Sequence, residues 1–278
     1  MSKKDFPKKI LIHTGIILFL ILNMYPLIIA LSSSLRSPNN MTSPLNLFNE
    51  FTLESYKLAF ERMNFSRSLL NSLILTIISV AFVVVVTSMS AYPMARIKSN
   101  VSKFLYLFFL SGLIVPGQMV IIPIVQMIKG LHIPSTQFTP ILMFVTCSIP
   151  FSSFLYTGFI KASVPEEMEE AAYLDGAGLF RRFWIIVFPL LLPATVSVII
   201  TQGMWIWNDY FFNLIFISKS SQTPLPLAML GFMGDKENPT QWNTLFAACF
   251  LCALPLILAF GVLQKYFMSG LASGAVKG

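Results

Sequence analysis

The sequence predicts an all-α integral membrane protein with six transmembrane helices. Of its 278 residues, 55% are hydrophobic and 11% are charged, whereas about a quarter of the residues in soluble domains carry charge. Charged side chains are absent from six segments, the shortest of which has 25 residues. These segments are residues 10–35, 68–95, 104–128, 130–160, 183–208 and 238–264. As a helix, even the shortest is about 37 Å long, which is enough to cross roughly 30 Å of hydrocarbon.

Helices are favoured over a barrel because the apolar runs are continuous and do not alternate at every second residue. An even number of spans places both termini on the same side of the membrane. That side receives twelve of the Lys and Arg residues and the other side receives seven. Basic residues accumulate in cytoplasmic loops, so both termini are predicted to be cytoplasmic.

The first predicted span covers about residues 10–31, and we interpret it as an uncleaved helix because its apolar run exceeds a signal-peptide core. An outer segment follows, in which SPNNMTSPLN is rich in turn residues and TLESYKLAF is amphipathic. The other five spans are predicted between about residues 69 and 266. The second predicted span, at about Leu69 to Met89, ends in the basic sequence AYPMARIKSN.

Prolines lie within the next two predicted spans. The third, at about Phe104 to Ile128, contains Pro116 near its centre. A broken helix survives in a membrane only where protein or a water-filled cavity satisfies its free backbone groups. Such breaks often mark transport sites, although a packing kink explains a single proline equally well. The fourth, at about Pro140 to Phe159, carries Pro150 and a run of Ser and Thr that suits either a pathway lining or hydrogen bonds between helices.

The stretch from Ser163 to Pro193 concentrates charge between two apolar runs. It holds five of the twelve acidic residues of the chain. Ser163 and Glu166 have the spacing of a capping box, with Pro165 in the first turn, and the glutamates favour a helix N-terminus. Glycines 176 and 178 are predicted to end this helix. Its small and medium apolar residues suit a docking surface, and a solvated amphipathic loop is the alternative.

The fifth predicted span, at about Ile185 to Ile206, begins with two prolines and leads into TQGMWIWNDYFFNLIF. Its aromatic residues suit either an interfacial belt or stacking on a sugar ring. Polar and aromatic groups on the broken helices are candidates for the route of a hydroxylated solute. These candidates are Gln118, Gln202, Trp205, Asn208 and Asp209.

Several classes of function lack support in the sequence. The span interiors contain no ionisable acidic or basic residue of the kind that carries a coupling proton or sodium ion. The chain has no G-x-x-x-x-G-K-[ST] loop and no catalytic motif, so no catalytic residue, metal ligand or bound cofactor is assigned. Its three cysteines, Cys147, Cys249 and Cys252, lie in apolar spans, which favours packing. Energy for any pumping would therefore enter through a partner, and nothing indicates nucleic acid.

One motif gives a family resemblance. The pattern E-A-A, three residues, G, nine residues and I-x-[LF]-P is met by Glu170-Ala171-Ala172, Gly176 and Ile186 to Pro189. The chain resembles the membrane permease subunits of bacterial ABC importers, in the carbohydrate-uptake group that includes the smaller permease of the maltose system. Similar blocks extend over nearly the whole chain. It departs from that group at Asn213, where proline is usual, and at Thr157, where a basic residue is common.

The resemblance implies the type I importer permease fold in the bacterial cytoplasmic membrane, as one transmembrane domain over residues 1–278. Its cytoplasmic coupling loop, residues 161–184, would dock on an ATPase dimer through Glu170, Ala171, Ala172, Asp175 and Gly176. ATP and Mg²⁺ would be used by that partner.

Other expected partners are a second, non-identical permease, an extracytoplasmic solute-binding protein, a carbohydrate and membrane lipid. Within the tail, residues 267–278, the segment Gly274 to Gly278 either reaches the ATPase interface or frays. A permease for a non-sugar solute and a stand-alone channel are the alternative functions.

Overall fold

The computed structural model describes residues 6–234 and 239–275, and it describes side chains within residues 12–234 and 239–262. Helices and turns make up the ordered structure of these described residues. The α-helices are α1 (Phe6–Ser34), α2 (Glu54–Arg62), α3 (Phe65–Arg96), α4 (Asn100–Ser111), α5 (Ile121–Gly130), α6 (Phe138–Ser163), α7 (Glu166–Leu174), α8 (Leu179–Arg182), α9 (Phe188–Leu190), α10 (Leu192–Asn208), α11 (Phe211–Phe216), α12 (Leu225–Ala228) and α13 (Trp242–Ala275). The all-α prediction is confirmed.

Four helices of the described chain are long and apolar enough to cross a membrane. They are Ile12–Ser34, Phe65–Arg96, Phe138–Ser163 and Trp242–Val262. A fifth candidate is the pair Leu179–Leu190 and Leu192–Asn208, which is bent by 75°. Six spans are therefore not confirmed, and the number six stays a prediction, as does the side on which the termini lie.

The third predicted span is divided in two. Helix α4 ends at Ser111 and α5 begins at Ile121, with a 3₁₀ turn at Gly117–Val120 between them. Pro116 precedes this turn in an extended conformation, with φ −64° and ψ 122°. Proline cannot donate a backbone hydrogen bond and disfavours helix in the residue before it. The predicted break at Pro116 is confirmed.

Pro150 behaves differently, because α6 continues through it. A Cβ added to Gly112 would lie 2.8 Å from Pro150 Cγ. The missing side chain of Gly112 therefore lets the end of α4 approach α6 closely. The packing interpretation of Pro150 agrees with this contact.

The fifth predicted span is also interrupted. A π-helical turn at Phe183–Val187 leads into α9, and Leu191 separates α9 from α10. Pro189 and Pro193 each lie at the start of one of these helices, where a missing N–H is tolerated. The prediction of one helix from Ile185 to Ile206 is therefore wrong for the residues before Leu192, where α10 begins.

The chain divides into two compact units. Unit 1 comprises Met1–Ser66 and Ala228–Pro255. Its turn-rich segment is held by the buried Arg36, which donates to the carbonyl oxygens of Thr42 at 3.1 Å and Ser43 at 3.2 Å. Asn243 Nδ2 donates to the carbonyl oxygen of Ser37 at 2.8 Å. Most of the amphipathic TLESYKLAF sequence lies in α2, which begins at Glu54.

Unit 2 comprises Arg67–Leu227 and Leu256–Gly278. Its buried core draws on α3, α6 and α10, and fully buried members include Val83, Phe144, Tyr156, Val187 and Val198. The tail prediction at Gly274 to Gly278 falls largely outside the described residues, which end at 275.

Candidate coupling helix and membrane cavity

Helix α7 is fixed to the end of α3 by a buried carboxylate. Arg96 Nε donates to Glu169 Oε1 at 2.8 Å, and its Nη2 lies 2.7 Å from the same oxygen. The hydroxyl of Tyr92 donates to Glu169 Oε2 at 2.6 Å. Arg96 Nη2 also donates to the carbonyl oxygen of Val164 at 2.6 Å. Both oxygens of Glu169 are thus bound, as burying a charge requires.

The predicted docking residues lie on the exposed side of this helix and its end. Glu170, Ala171, Asp175 and Gly176 are exposed, and Ala172 is half-buried. Apolar side chains accompany them, since Leu174 is 84% exposed and Met168 is 47% exposed. The structure therefore brings all five predicted residues to one accessible segment beside the buried Glu169.

The end of α7 follows a defined hydrogen-bond pattern. Gly176 has φ +79°, its N–H donates to the Tyr173 carbonyl at 3.0 Å, and the Ala177 N–H donates to the Ala172 carbonyl at 2.9 Å. These two bonds form a Schellman motif, which requires a left-handed residue after the helix. Gly176 ends the helix as predicted.

Two predictions about this loop are wrong. Ser163 is the last residue of α6, so it does not cap α7, and the N-cap residue is Pro165, without a side-chain bond. The extended conformation of Val164 separates the two helices. Gly178 does not end α7 either, because Gly176 has already done so and Gly178 precedes α8. The predicted glutamates of the first turn are present.

A cavity of about 650 Å³ gathers most of the predicted pathway residues. Gln118, Trp205, Asn208 and Asp209 all line it. The remaining lining residues are Met204, Tyr210 and Phe211. Gln118 comes from the break between α4 and α5, and the others come from the end of α10 and the start of α11.

Gln202 is not among the lining residues of this cavity. It is buried, and its Oε1 accepts a hydrogen bond from Ser148 Oγ at 2.8 Å. This bond joins α10 to α6. Of the two interpretations of the Ser and Thr run, the structure supports hydrogen bonding between helices at Ser148.

Asp209 has a structural role at the wall of the cavity. Its Oδ1 accepts from the backbone N–H of Phe212 at 3.0 Å. Asn213 Nδ2 donates to the carbonyl oxygen of Asp209 at 2.8 Å. The Asn213 side chain, at a position where proline is usual in the group that the chain resembles, thus fixes the connection between α10 and α11.

The aromatic residues around the end of α10 do not all belong to one surface. Trp207 and Phe212 are buried. Phe144 packs edge-on against Trp205 and Phe212, with centroid distances of 5.6 and 5.8 Å. Because these two rings are buried, they are not part of a lipid-facing belt along the membrane interface.

The anchoring residues of α7 were not predicted from the sequence. Tyr92 and Arg96 are four residues apart and share a face of α3. This spacing was a usable signal, because a tyrosine and an arginine at the end of a membrane helix can bind the same carboxylate. Nothing local showed that Glu169 rather than Glu170 is that carboxylate.

Comparisons with known proteins give this architecture a family. A family model for the "Binding-protein-dependent transport system inner membrane component" matches residues 83–272, which is more than half of the chain. The melibiose/raffinose/stachyose import permease protein MelC of Bacillus subtilis (strain 168) is 34% identical over 253 residues, which cover 91% of each chain. The probable starch degradation products transport system permease protein AmyC of Thermoanaerobacterium thermosulfurigenes is 32% identical over 278 residues, which cover 100% of each.

A solved structure shares the fold. One chain in the crystal structure of a bacterial ABC transporter involved in the import of the acidic polysaccharide alginate superimposes with a TM-score of 0.81. It is 20% identical, and the match covers 96% of this chain and 99% of that one. The chain therefore belongs to the family of inner membrane components of binding-protein-dependent transport systems, as a multi-pass permease of the cytoplasmic membrane whose ATP-hydrolysing partner is a separate subunit.

Proposed function

We propose that this permease carries a carbohydrate across the cytoplasmic membrane and is coupled to its ATPase through α7. The observation that carries the proposal is the two-sided environment of α7. One side is fixed by the buried Glu169 and Arg96. The other exposes the segment from Glu170 to Gly176.

The docking role follows from the chemistry of this exposed segment. Ala171 and Ala172 allow a close approach by a partner surface, and the carboxylate of Glu170 offers a directional ionic contact. Gly176 supplies the left-handed turn that ends the helix. Because α7 is rigidly bound to α3, a displacement of α7 by the ATPase is transmitted to α3. ATP and Mg²⁺ are used in the partner, an ATPase dimer.

A carbohydrate cargo is supported by the relatives and by the cavity. MelC is named for melibiose, raffinose and stachyose, and AmyC for starch degradation products. The cavity combines an amide at Gln118, an amide at Asn208 and the ring of Trp205. Amides both donate to and accept from hydroxyl groups, and an aromatic face suits the apolar face of a sugar ring.

The assembled importer would contain a second, non-identical permease and an extracytoplasmic solute-binding protein beside the ATPase dimer. The family description supports the binding protein directly, since transport in this family is dependent on one. A carbohydrate is the proposed cargo of this assembly, and a non-sugar solute is the competing cargo.

Coupling is tested by reversing one exposed charge. The Glu170→Lys variant is expected to remain in the membrane, but ATP hydrolysis should no longer drive uptake into liposomes. Glu167→Lys is the matched control, because Glu167 is an exposed glutamate of the same helix outside the docking segment. Normal coupled transport by Glu170→Lys, in the transporter assembled with its partners, would refute the docking role.

Cargo is tested by uptake of labelled oligosaccharides and of amino acids into the same liposomes. Trp205→Ala is expected to lower oligosaccharide uptake, and Trp242→Ala is the control because Trp242 is exposed outside the cavity. If the unmodified transporter takes up only an amino acid, the cargo is a non-sugar solute and the carbohydrate assignment is wrong.

A further inference from the structure

A second cavity of unit 2, about 720 Å³ in volume, lies beside the start of α7. Its lysine side chains come from three places in the sequence. Lys98 lies between α3 and α4, Lys103 lies on α4, and Lys161 lies on the last turn of α6. The fold therefore brings separated lysines to the wall of one cavity.

These lysines are not neutralised by carboxylates of the described chain. The ion pairs found there join Arg96 to Glu169 at 2.7 Å and to Glu166 at 3.6 Å. Glu169 thus balances Arg96, and Glu166 is the only acidic residue in the lining. The three lysines leave the cavity with a net positive charge.

The neighbouring surface is apolar. Helix α4 exposes Val101, Phe104 and Phe108, each by more than half, and their spacing places them along one side of the helix. Lys161 Nζ lies 5.4 Å from the centroid of the Tyr106 ring on the same helix. A basic cavity next to an apolar helix face matches a ligand with an anionic head and hydrocarbon chains.

We propose that this cavity binds the phosphate headgroup of an anionic phospholipid in the cytoplasmic leaflet, with the acyl chains along α4. Anionic lipids are attracted to basic residues at the cytoplasmic membrane surface, and basic pockets between membrane helices bind such headgroups. Phosphate oxygens also make strong charge-assisted hydrogen bonds with lysine. Lysines that only orient the protein in the membrane need not converge on one cavity. The inference rests on the proposed function only for placing the α7 end at the cytoplasm.

Native mass spectrometry of the transporter, purified with its partner subunits, tests the site. Dioleoylphosphatidylglycerol and dioleoylphosphatidylcholine are the two probes. The triple variant Lys98→Gln/Lys103→Gln/Lys161→Gln is compared with Lys57→Gln/Lys129→Gln/Lys219→Gln, which changes the net charge equally at exposed lysines outside the cavity. Each cavity lysine is expected to strengthen phosphatidylglycerol binding by about fivefold, as for basic residues near an anionic surface.

The proposal predicts that only the cavity variant loses phosphatidylglycerol, and that phosphatidylcholine binds both variants and the unmodified protein equally weakly. Equal phosphatidylglycerol binding by the two triple variants would overturn it. Retention of inorganic phosphate by the lipid-free protein, with loss in the cavity variant, would assign the site to a soluble anion instead. Loss of the ATPase subunit with unchanged lipid binding would assign it to a protein contact.

Two controls keep the result interpretable. If the triple variant does not assemble, the single Lys103→Gln variant takes its place and is expected to lose less lipid. Lipid occupancy is measured without cargo or ATP, so a non-sugar cargo or a failed coupling experiment leaves this measurement unchanged. The two proposals therefore fail separately.

Discussion

Helix α7 and the 650 Å³ cavity hold their polar residues by different kinds of contact. At α7, Glu169 is bound by Tyr92 and Arg96, which are 77 and 73 residues away in the chain. At the cavity, Asn208 Nδ2 donates to the Met204 carbonyl at 2.8 Å, four residues away, and Asp209 accepts from Phe212, three residues away.

This difference determines how strongly one substitution should affect stability and uptake. The position of α7 depends on one buried carboxylate and its distant partners, so the loss of Arg96 leaves the charge of Glu169 buried and without its counterion. The cavity wall is built from bonds within short segments, which survive small changes elsewhere. We therefore expect larger effects at α7 than at the cavity wall.

The largest effect is expected from Arg96→Met. Removing one member of a buried ion pair costs about 3–5 kcal/mol, because the remaining charge is uncompensated. Hydrogen exchange of the α7 amides should accelerate, and ATP hydrolysis in the assembled transporter should no longer drive uptake. Arg181→Met is the control, since Arg181 is an exposed arginine of the same loop.

The double variant Arg96→Met/Glu169→Met sharpens the same comparison. Replacing both charges by apolar side chains is less destabilising than removing one, so α7 should exchange more slowly in the double variant than in Arg96→Met. If the two variants exchange at the same rate, the pair does not hold α7.

The next effect is expected from Gly176→Ala. Gly176 has φ +79° and open space around it, so the cost is conformational, about 1–2 kcal/mol for a residue with a Cβ in the left-handed region. Gly178→Ala is a close control, because Gly178 has φ −67° and also has open space around it. Thermal unfolding and coupled uptake measure both variants. An equal loss in both would show that the turn conformation is not the cause.

A smaller effect is expected from Asp209→Ala. It removes the side-chain acceptor at the start of α11, and losing such a cap costs about 1 kcal/mol. Asp209→Asn keeps an oxygen acceptor and should retain stability. Uptake by Asp209→Asn then isolates the charge: wild-type uptake indicates a structural carboxylate, and a loss of uptake at wild-type stability indicates a contact with the cargo.

The features that depend on neighbouring residues were predictable from the sequence. The break at Pro116 followed from the missing N–H of proline, and the end of α7 at Gly176 followed from the conformational freedom of glycine. The assignment of docking to Glu170 through Gly176 rests on a motif contained within 20 residues, from Glu170 to Pro189, and stays a prediction.

Features that depend on distant residues were not predictable in the same way. Ser163 and Glu166 had the spacing of a capping box, but Val164 turned out extended and its carbonyl accepts from Arg96. The tertiary contact therefore overrode the local signal. Gln202 has the residue type expected of a pathway lining, and only its partner Ser148, 54 residues away, shows where it lies.

The smallest effect is expected from the bond between Ser148 and Gln202. Hydrogen bonds between membrane helices contribute about 0.6 kcal/mol on average, so Ser148→Ala and Gln202→Met should each lower the unfolding temperature slightly and by similar amounts. Uptake should stay at the wild-type level in both variants, in contrast to Trp205→Ala. Because both partners of the bond are removed in turn, a structural role gives matching changes. A loss of uptake by Gln202→Met that Ser148→Ala does not share would return Gln202 to the transport pathway.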